Sequence, residues 1–315
     1  MSTRSRAEIR PLLGLFLIIV IGSGCRPDKT WQSSTLLYFD TVCEIRLFCP
    51  SSLAAAAQRE ISRVFAAMEE HFSPGSADFS SALVLELFEK ALRVGRDSDG
   101  YFDITVGPLT ELWGFSSREF RVPEAEEVQA VLRHVGWEKI TLEGKSLTLQ
   151  PGMRLDWGGI AKGWGVDLAA KAVQEMGVRR GFINAGGDLY CWGTNPDRRP
   201  WKVGIKHPRE RGFLGILSVS AVGVATSGDY QRYFEKGGIR YHHIFDPRTG
   251  YPARGKRSVT VVGPETALCD GLATALFVCP SAEPILAKFP ECGAVLVDEK
   301  GKVTVLGKPY PVEIF

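Results

Sequence analysis

The sequence has little of what usually gives a function away. Its seven cysteines are scattered over 315 residues with no Cys-x-x-Cys pair or other metal-ligand spacing, which removes zinc ribbons and dithiol redox motifs from consideration. Neither Gly-x-Ser-x-Gly nor His-Glu-x-x-His occurs, so a nucleophile elbow and a zincin helix are excluded as well. Charge of one sign is also lacking. Of 38 Lys+Arg and 36 Asp+Glu, the first 24 residues hold three and one, which leaves 35 of each in the remainder. That balance gives no electrostatic case for nucleic acid. There is no internal repeat and no low-complexity linker.

Only one long apolar run is present, from Leu12 to Ile21 with Gly14 as its single break, and it follows Arg4, Arg6 and Arg10. Gly22, Ser23 and Gly24 then precede Cys25. This is the layout of a secretory signal, too short for a mature span, with a cysteine where bacterial signals are cut and acylated. We expect residues 1–24 to be a lipoprotein signal peptide, Cys25 to carry the lipid, residues 25–34 to be a tether and 35–315 to be the working domain. Gly22 stands where an aliphatic residue is usual, so ordinary cleavage and an uncleaved anchor stay open. Each option places the body outside the cytoplasm, on a bacterial membrane facing the periplasm or the exterior. The six later cysteines read as small buried hydrophobes.

The remaining 291 residues suffice for a large core. Alternation of apolar and polar residues predicts a strand over Leu36 to Phe48, and helical periodicity predicts helices from Leu53 to His71, from Ser80 to Arg96 and from Pro123 to His134. The first half is therefore helix-rich. From Gly181 onward, short Val/Ile/Leu-rich runs punctuated by Gly and Pro predict strands at Phe182 to Leu189, Trp201 to Lys206, Leu214 to Val219, Tyr241 to Phe245, Ser258 to Val262 and Ala294 to Val297. Helices from Ile160 to Met176 and from Glu265 to Val278 interrupt them. Without a regular βαβα alternation, the pattern is α+β with largely antiparallel sheets packed against helices.

Chemistry is concentrated in a few segments. Leu155-Asp156-Trp157-Gly158-Gly159-Ile160-Ala161-Lys162-Gly163 puts an acid, a glycine pair and a helix start in succession. Glycines admit a ligand to the backbone, and a helix start favours phosphate, with Lys162 adding charge. It is neither a Walker loop nor a dinucleotide fingerprint, and a glycine pair before a helix is more often a packing device. Asp270 and Thr274 lie four apart on an apolar helix and share a face, as two hard oxygen ligands would, although on this pair alone an acid near the helix dipole and a Thr bonded to its own helix is the favoured account. The run Tyr241-His242-His243-Ile244-Phe245-Asp246-Pro247-Arg248-Thr249-Gly250 joins two histidines to a tight turn. Adjacent histidines on a strand face opposite ways, so at most one serves a given site.

Three further segments complete the set: Gly100-Tyr101-Phe102-Asp103-Ile104-Thr105-Val106-Gly107-Pro108-Leu109, Asn184-Ala185-Gly186-Gly187-Asp188 and Ala225-Thr226-Ser227-Gly228-Asp229-Tyr230. Six motifs in this order resemble the ApbE-type flavin transferases, whose members read GxFDxTVGPL, DxGGIAKGxAxD, NxGGD, ATSGDY, HxIDPxTGxP and ADxLAT. The likeness spans Tyr38 to the end. It implies an ApbE-like α+β fold and Mg²⁺-dependent transfer of FMN from FAD to a Ser or Thr hydroxyl of acceptor proteins, with AMP leaving. It further implies that Asp270, Thr274 and a main-chain oxygen of Gly159 hold Mg²⁺. Phe39, Tyr101, Phe102, Asp103, Asp156, Lys162 and the backbone of Ile244 would contact FAD, and His243 falls at the family's functionally important histidine. Acceptors with a short Ser/Thr-containing motif, often subunits of membrane redox complexes, are the implied partners. Two departures stand out. Ala273 occupies a position where some relatives have another acid, and the short stretch 71–81 lacks the expected stacking aromatic, with Phe79 the nearest substitute.

Chemically, the expected step is attack by an acceptor hydroxyl on the FMN-side phosphorus. His243 is the candidate base, with a structural role at the Asp246 turn as the competing account. Two alternatives share the same residues: an FAD pyrophosphatase in which water replaces the acceptor, and a non-enzymatic FAD-binding lipoprotein.

Overall fold

A computed structural model describes residues 29–73, 79–144 and 146–315. The expected signal peptide and Cys25 lie outside them, as do residues 74–78 in the short stretch after His71. The chain enters the fold earlier than the expected tether allows. Strand β1 (Thr30–Tyr38) pairs antiparallel with β2 (Thr41–Cys49), so residues 30–34 belong to the domain. Trp31 ties the start of this strand to remote residues: its ring packs edge-on against Trp201 at 5.6 Å, and the Arg180 guanidinium lies 5.0 Å from its centroid. Instead of one strand over 36–48 there is a hairpin. Its turn is made by Phe39 and Asp40 at φ 57° and 54°, a conformation non-glycine residues rarely take. The Phe39 N–H donates to Glu69 Oε1 at 2.7 Å, which ties the turn to the first helix.

That helix, α1 (Ser51–Phe72), buries Ala57, Ile61, Val64, Phe65 and Met68 along one stripe, and α2 (Ala82–Asp97) does the same with Val84, Leu87, Phe88, Ala91 and Val94. Short α3 (Gly107–Leu112) and α4 (Ala125–Leu132) follow, then a small hairpin of β3 (Thr141–Glu143) and β4 (Ser146–Thr148). Helix α5 (Ala161–Glu175) leads to β5 (Gly181–Ala185) and β6 (Asp188–Trp192), which are two strands rather than one because Gly186 and Gly187 turn the chain at φ 66° and 111°. The rest of the chain forms β7 (Trp201–Lys206), β8 (Phe213–Val219), β9 (Val222–Gly228), β10 (Tyr233–Lys236), β11 (Ile239–His242) and β12 (Lys256–Gly263). Helices α6 (Thr266–Val278) and α7 (Glu283–Leu286) come next, and β13 (Gly293–Asp298), β14 (Val303–Gly307) and β15 (Val312–Ile314) finish it.

Eight strands form the main sheet in the order β1-β2-β5-β6-β9-β12-β13-β14, antiparallel throughout. Side chains alternate across it. In β12, Val259 and Val261 point to the helices while Val262 points away; in β13, Ala294 and Leu296 do the first and Val295 and Val297 the second. On the helix side, α5 lies over β5 and β6, α6 over β9 and β12, with α1 packed on α5 and α2 on α6. On the other side, the three-stranded sheet β15-β8-β7 covers Cys191, Val222, Val224 and Val262. A third cluster gathers Leu109, Trp113, Phe115, Val128 and Phe245 beside the β10-β11 hairpin. The architecture is α+β, as the sequence predicts. All six described cysteines are free and buried, also as expected.

Candidate active site

Helix α6 is apolar on nearly every side because the sheet lies beneath it and α2 and α5 flank it. Two glycines let it sit that close. A Cβ on Gly163 of α5 would fall 2.6 Å from the Thr266 carbonyl oxygen, and one on Gly223 of β9 would fall 2.4 Å from the Thr266 nitrogen. This tight contact brings Lys162 next to Asp270. Lys162 Nζ donates to Asp188 Oδ2 at 2.8 Å, approaches Asp270 Oδ2 at 3.8 Å and reaches the Gly158 carbonyl at 3.3 Å.

Asp270 is 5% exposed, and its Oδ2 has no hydrogen-bond partner among the described residues. Burial first, and then the neighbouring Asp188 charge, lift its pKa well above the ordinary carboxylate range while Lys162 opposes them. Burial alone would lower the Lys162 pKa, but Asp188 and Asp270 together outweigh it and hold the ammonium above its usual value. One turn beyond Asp270, Thr274 Oγ1 lies 3.1 Å from Ser227 Oγ on β9. Gly159 faces the same hydroxyl: a Cβ there would stand 3.2 Å from Thr274 Oγ1 and 3.3 Å from Phe102 Cε2.

These donors suit a hard divalent cation. The orphaned carboxylate oxygen, a hydroxyl and a backbone approached through glycine are all oxygen ligands, and the orphaned atom has a desolvation cost that a cation would relieve. Among the described residues, no group of three or more His, Cys, Asp or Glu side chains is arranged to hold a metal without other donors. A cation here would rely on hydroxyl, backbone and substrate oxygens.

His242 is the last residue of β11 and His243 lies just beyond the strand, and the two rings make separate contacts. His242 is buried, receives the Ile244 N–H at Nδ1 (3.3 Å) and donates from Nε2 to the Ala253 carbonyl (2.9 Å), with its ring edge-on to Phe277. Burial pushes its pKa down to about 4. His243 Nδ1 lies 3.1 Å from the Arg232 carbonyl, an acceptor only, so Nδ1 carries the proton and Nε2 is left with a lone pair. Burial, then the Arg232 guanidinium, push its pKa down to about 3. Lys162 adds to that shift.

The fold treats the other expected residues unequally. Gly159, Lys162, Asp270, Thr274 and the Phe102 ring converge. Asp156 sits at the entrance to the glycine pair, accepting from the Thr110 hydroxyl at 2.6 Å and from the Gly158 N–H at 2.8 Å. Asp103, read as a flavin contact, is turned inward: it accepts from Thr105 N–H and hydroxyl at 2.8 and 2.7 Å and from Trp137 N–H at 3.0 Å, and burial lifts its pKa. Its role in this conformation is to tie residues 103–105 to the 136–137 loop. The backbone of Ile244 is similarly engaged, its N–H with His242 and its carbonyl with the Ala253 N–H at 2.9 Å. Phe39 packs edge-on against Phe65 at 5.1 Å. Phe79 is half-buried against the helix-side core. Tyr101 instead lines a cavity of about 620 Å³ with Asp246, Thr249, Lys256 and the end of α6, beneath the Arg248 guanidinium at 3.7 Å.

Asp188, Ser227 and Arg232 were not singled out by sequence reasoning. The first two stand in quoted motifs, and only the turn of β5 into β6 and the crossing of β9 under α6 bring them to Lys162 and Thr274.

Comparison with known proteins bears on the family and the fold. The ApbE family model matches residues 39–296. An FAD:protein FMN transferase of Vibrio cholerae is 40% identical over 204 residues, 63% of this chain and 61% of that protein. One of Rhodobacter capsulatus is 35% identical over 302 residues, 87% of this chain and 57% of that protein. The chain thus spans about three fifths of the length of the curated relatives it matches. The crystal structure of the ApbE protein of Thermotoga maritima superposes with a TM-score of 0.81 at 30% identity, covering 87% of this chain and 96% of that one. The flavin transferase ApbE of Vibrio cholerae gives 0.78 at 29% identity, with 88% and 97% covered.

Proposed function

The chain belongs to the ApbE family, and from that premise we propose that it transfers FMN from FAD to a Ser or Thr hydroxyl of acceptor proteins and releases AMP. The observation that carries this reading is the buried Asp270 carboxylate with an orphaned oxygen, held beside Lys162, Thr274 and the Gly159 backbone. Simple flavin storage needs no such costly group. Asp270, Thr274 and the Gly159 backbone would hold Mg²⁺, which neutralises diphosphate charge and polarises the bond to be broken.

The chain's own residues do the rest. Lys162, at the start of α5 and released from Asp188, would add a positive charge beside the diphosphate. Gly158 and Gly159 let phosphate oxygens approach the main chain. His243, neutral throughout the physiological range, offers Nε2 to the acceptor hydroxyl, and the Arg232 carbonyl holds the ring in the required tautomer. The oxygen–phosphorus bond to the acceptor forms as the bond to AMP breaks, and the hydroxyl proton passes to His243.

We further propose that the chain works outside the cytoplasm, anchored by lipid at Cys25. The basic, apolar and small-residue layout of residues 1–25 supports this. Acceptors would then be exported domains, membrane redox subunits among them.

The test is incubation of the purified protein with FAD and Mg²⁺, with and without extracts of exported proteins from the producing cell. Flavin fluorescence in denaturing gels, intact mass and AMP release are measured. Covalent flavin on an acceptor with stoichiometric AMP supports transfer. AMP and free FMN in equal amounts with or without acceptor would mean hydrolysis, and FAD binding without AMP would reduce the chain to a carrier.

A further inference from the structure

Asp167 lies one helical turn beyond Gly163 on α5, yet its carboxylate serves another helix. Oδ1 accepts from the Thr266 N–H and Oδ2 from the Ala267 N–H, both at 2.8 Å, so α6 is capped in trans by α5. The residue named by α6 as its own N-cap, Glu265, makes no side-chain cap bond. The Thr266 hydroxyl in turn donates to the Leu189 carbonyl at 3.2 Å. Thr266 therefore joins α5, which carries Lys162, to β6, which carries Asp188, and it begins the helix that carries Asp270 four residues later. Gly163 and Gly223 leave no slack around it, since a Cβ on either would overlap Thr266 backbone atoms.

We propose that Asp167 is a positioning residue for the cation site. By fixing the first turn of α6 against α5 and β6, it sets the separation of Asp270 from Lys162 and Asp188, and with it the affinity of Asp270 and Thr274 for a divalent ion. Asp167 follows Lys162 by five residues on α5 and bonds directly to the first two residues of the helix that carries Asp270, but it contributes no ligand. The proposal rests on the metal-dependent reading above and extends it to a residue that touches neither metal nor flavin.

The experiment measures Mn²⁺ binding to the full chain by electron paramagnetic resonance, with and without FAD, alongside thermal unfolding. Outer partners that orient ligands are typically worth about 10–100-fold in metal affinity. Asp167→Ala is expected to weaken Mn²⁺ binding by about that factor. Asp167→Asn, which keeps one acceptor oxygen and the same shape, and Thr266→Val, which breaks the link to β6, should give smaller losses in the same direction. Val262→Ala, buried on the opposite face of the sheet, supplies destabilisation without touching the lock, and its Mn²⁺ affinity should stay within about twofold of the unaltered chain. Unchanged Mn²⁺ affinity in folded Asp167→Asn and Thr266→Val proteins would overturn the proposal, as would an equal loss in Val262→Ala. An unaltered chain that binds no Mn²⁺ even with FAD would overturn the metal-dependent function itself, a distinguishable outcome.

Discussion

The two faces of the eight-stranded sheet are built from the same strands and bury their residues to different ends. On the face covered by β15-β8-β7, Val222, Val224, Val262, Val295 and Val297 meet Trp201, Leu214 and Leu217 in an apolar layer. On the helix face, Asp188, Ser227 and Asp270 are buried among aliphatic and aromatic residues. A single strand serves both: in β9, Val224 faces the apolar layer while Ser227 faces Thr274. Period-two alternation allows the stabilising and the chemical requirements to be met on opposite sides of one backbone, so a change on one side need not disturb the other.

Substitutions that separate the two faces are the direct way to break this comparison. The largest effect is expected from Asp270→Asn, which should bring Mg²⁺-dependent AMP release to background. Its melting temperature should not fall, because a desolvated carboxylate with an orphaned oxygen is being replaced by a neutral group. A substantial drop in melting temperature would show that Asp270 contributes to stability instead. His243→Ala should lower turnover by about 10²–10⁴-fold with FAD affinity retained in titrations, the range for a lost general base. Across the sheet, Leu217→Ala should cost about 2–5 kcal/mol in denaturant unfolding, as buried leucines do. Its turnover per folded molecule should stay unchanged; impaired turnover would couple the faces.

The smallest effect concerns pH. Burial depresses the His242 pKa to about 4, whereas the unfolded chain titrates near 6.5. The unfolded state therefore binds the extra proton between those values, and His242 should favour unfolding as pH falls from about 6.5 towards 4. His242→Gln should flatten that part of the stability profile, with chemical unfolding at several pH values as the measurement.

The helix face was also the more legible in the sequence. The stripes of α1 and α2, the all-apolar α6 and the glycine-bounded α5 follow from local periodicity, and their ends fall within about two residues of the expected ones. Strand β1 was missed because what orders it is remote: Trp31 needs Trp201 and Arg180. The turn at Phe39 and Asp40 lacks the glycine that usually announces one. In contrast, Gly186-Gly187 did announce a turn, and a continuous strand from Phe182 to Leu189 overlooked it. Motif positions told where the site lies but not how each side chain is employed. Asp103 and Ile244 spend their polar groups on neighbours, while Asp188, in a motif with no assigned role, holds Lys162.

The Lys162–Asp188 ion pair has a consequence for the order of events in the life of the protein. Two carboxylates enclosed together would resist folding, but the ammonium that α5 supplies balances them from within the chain. On the metal-dependent reading proposed above, a divalent ion would enter a site whose charge Lys162 already offsets in part. Stripping such an ion away should silence the molecule without unfolding it.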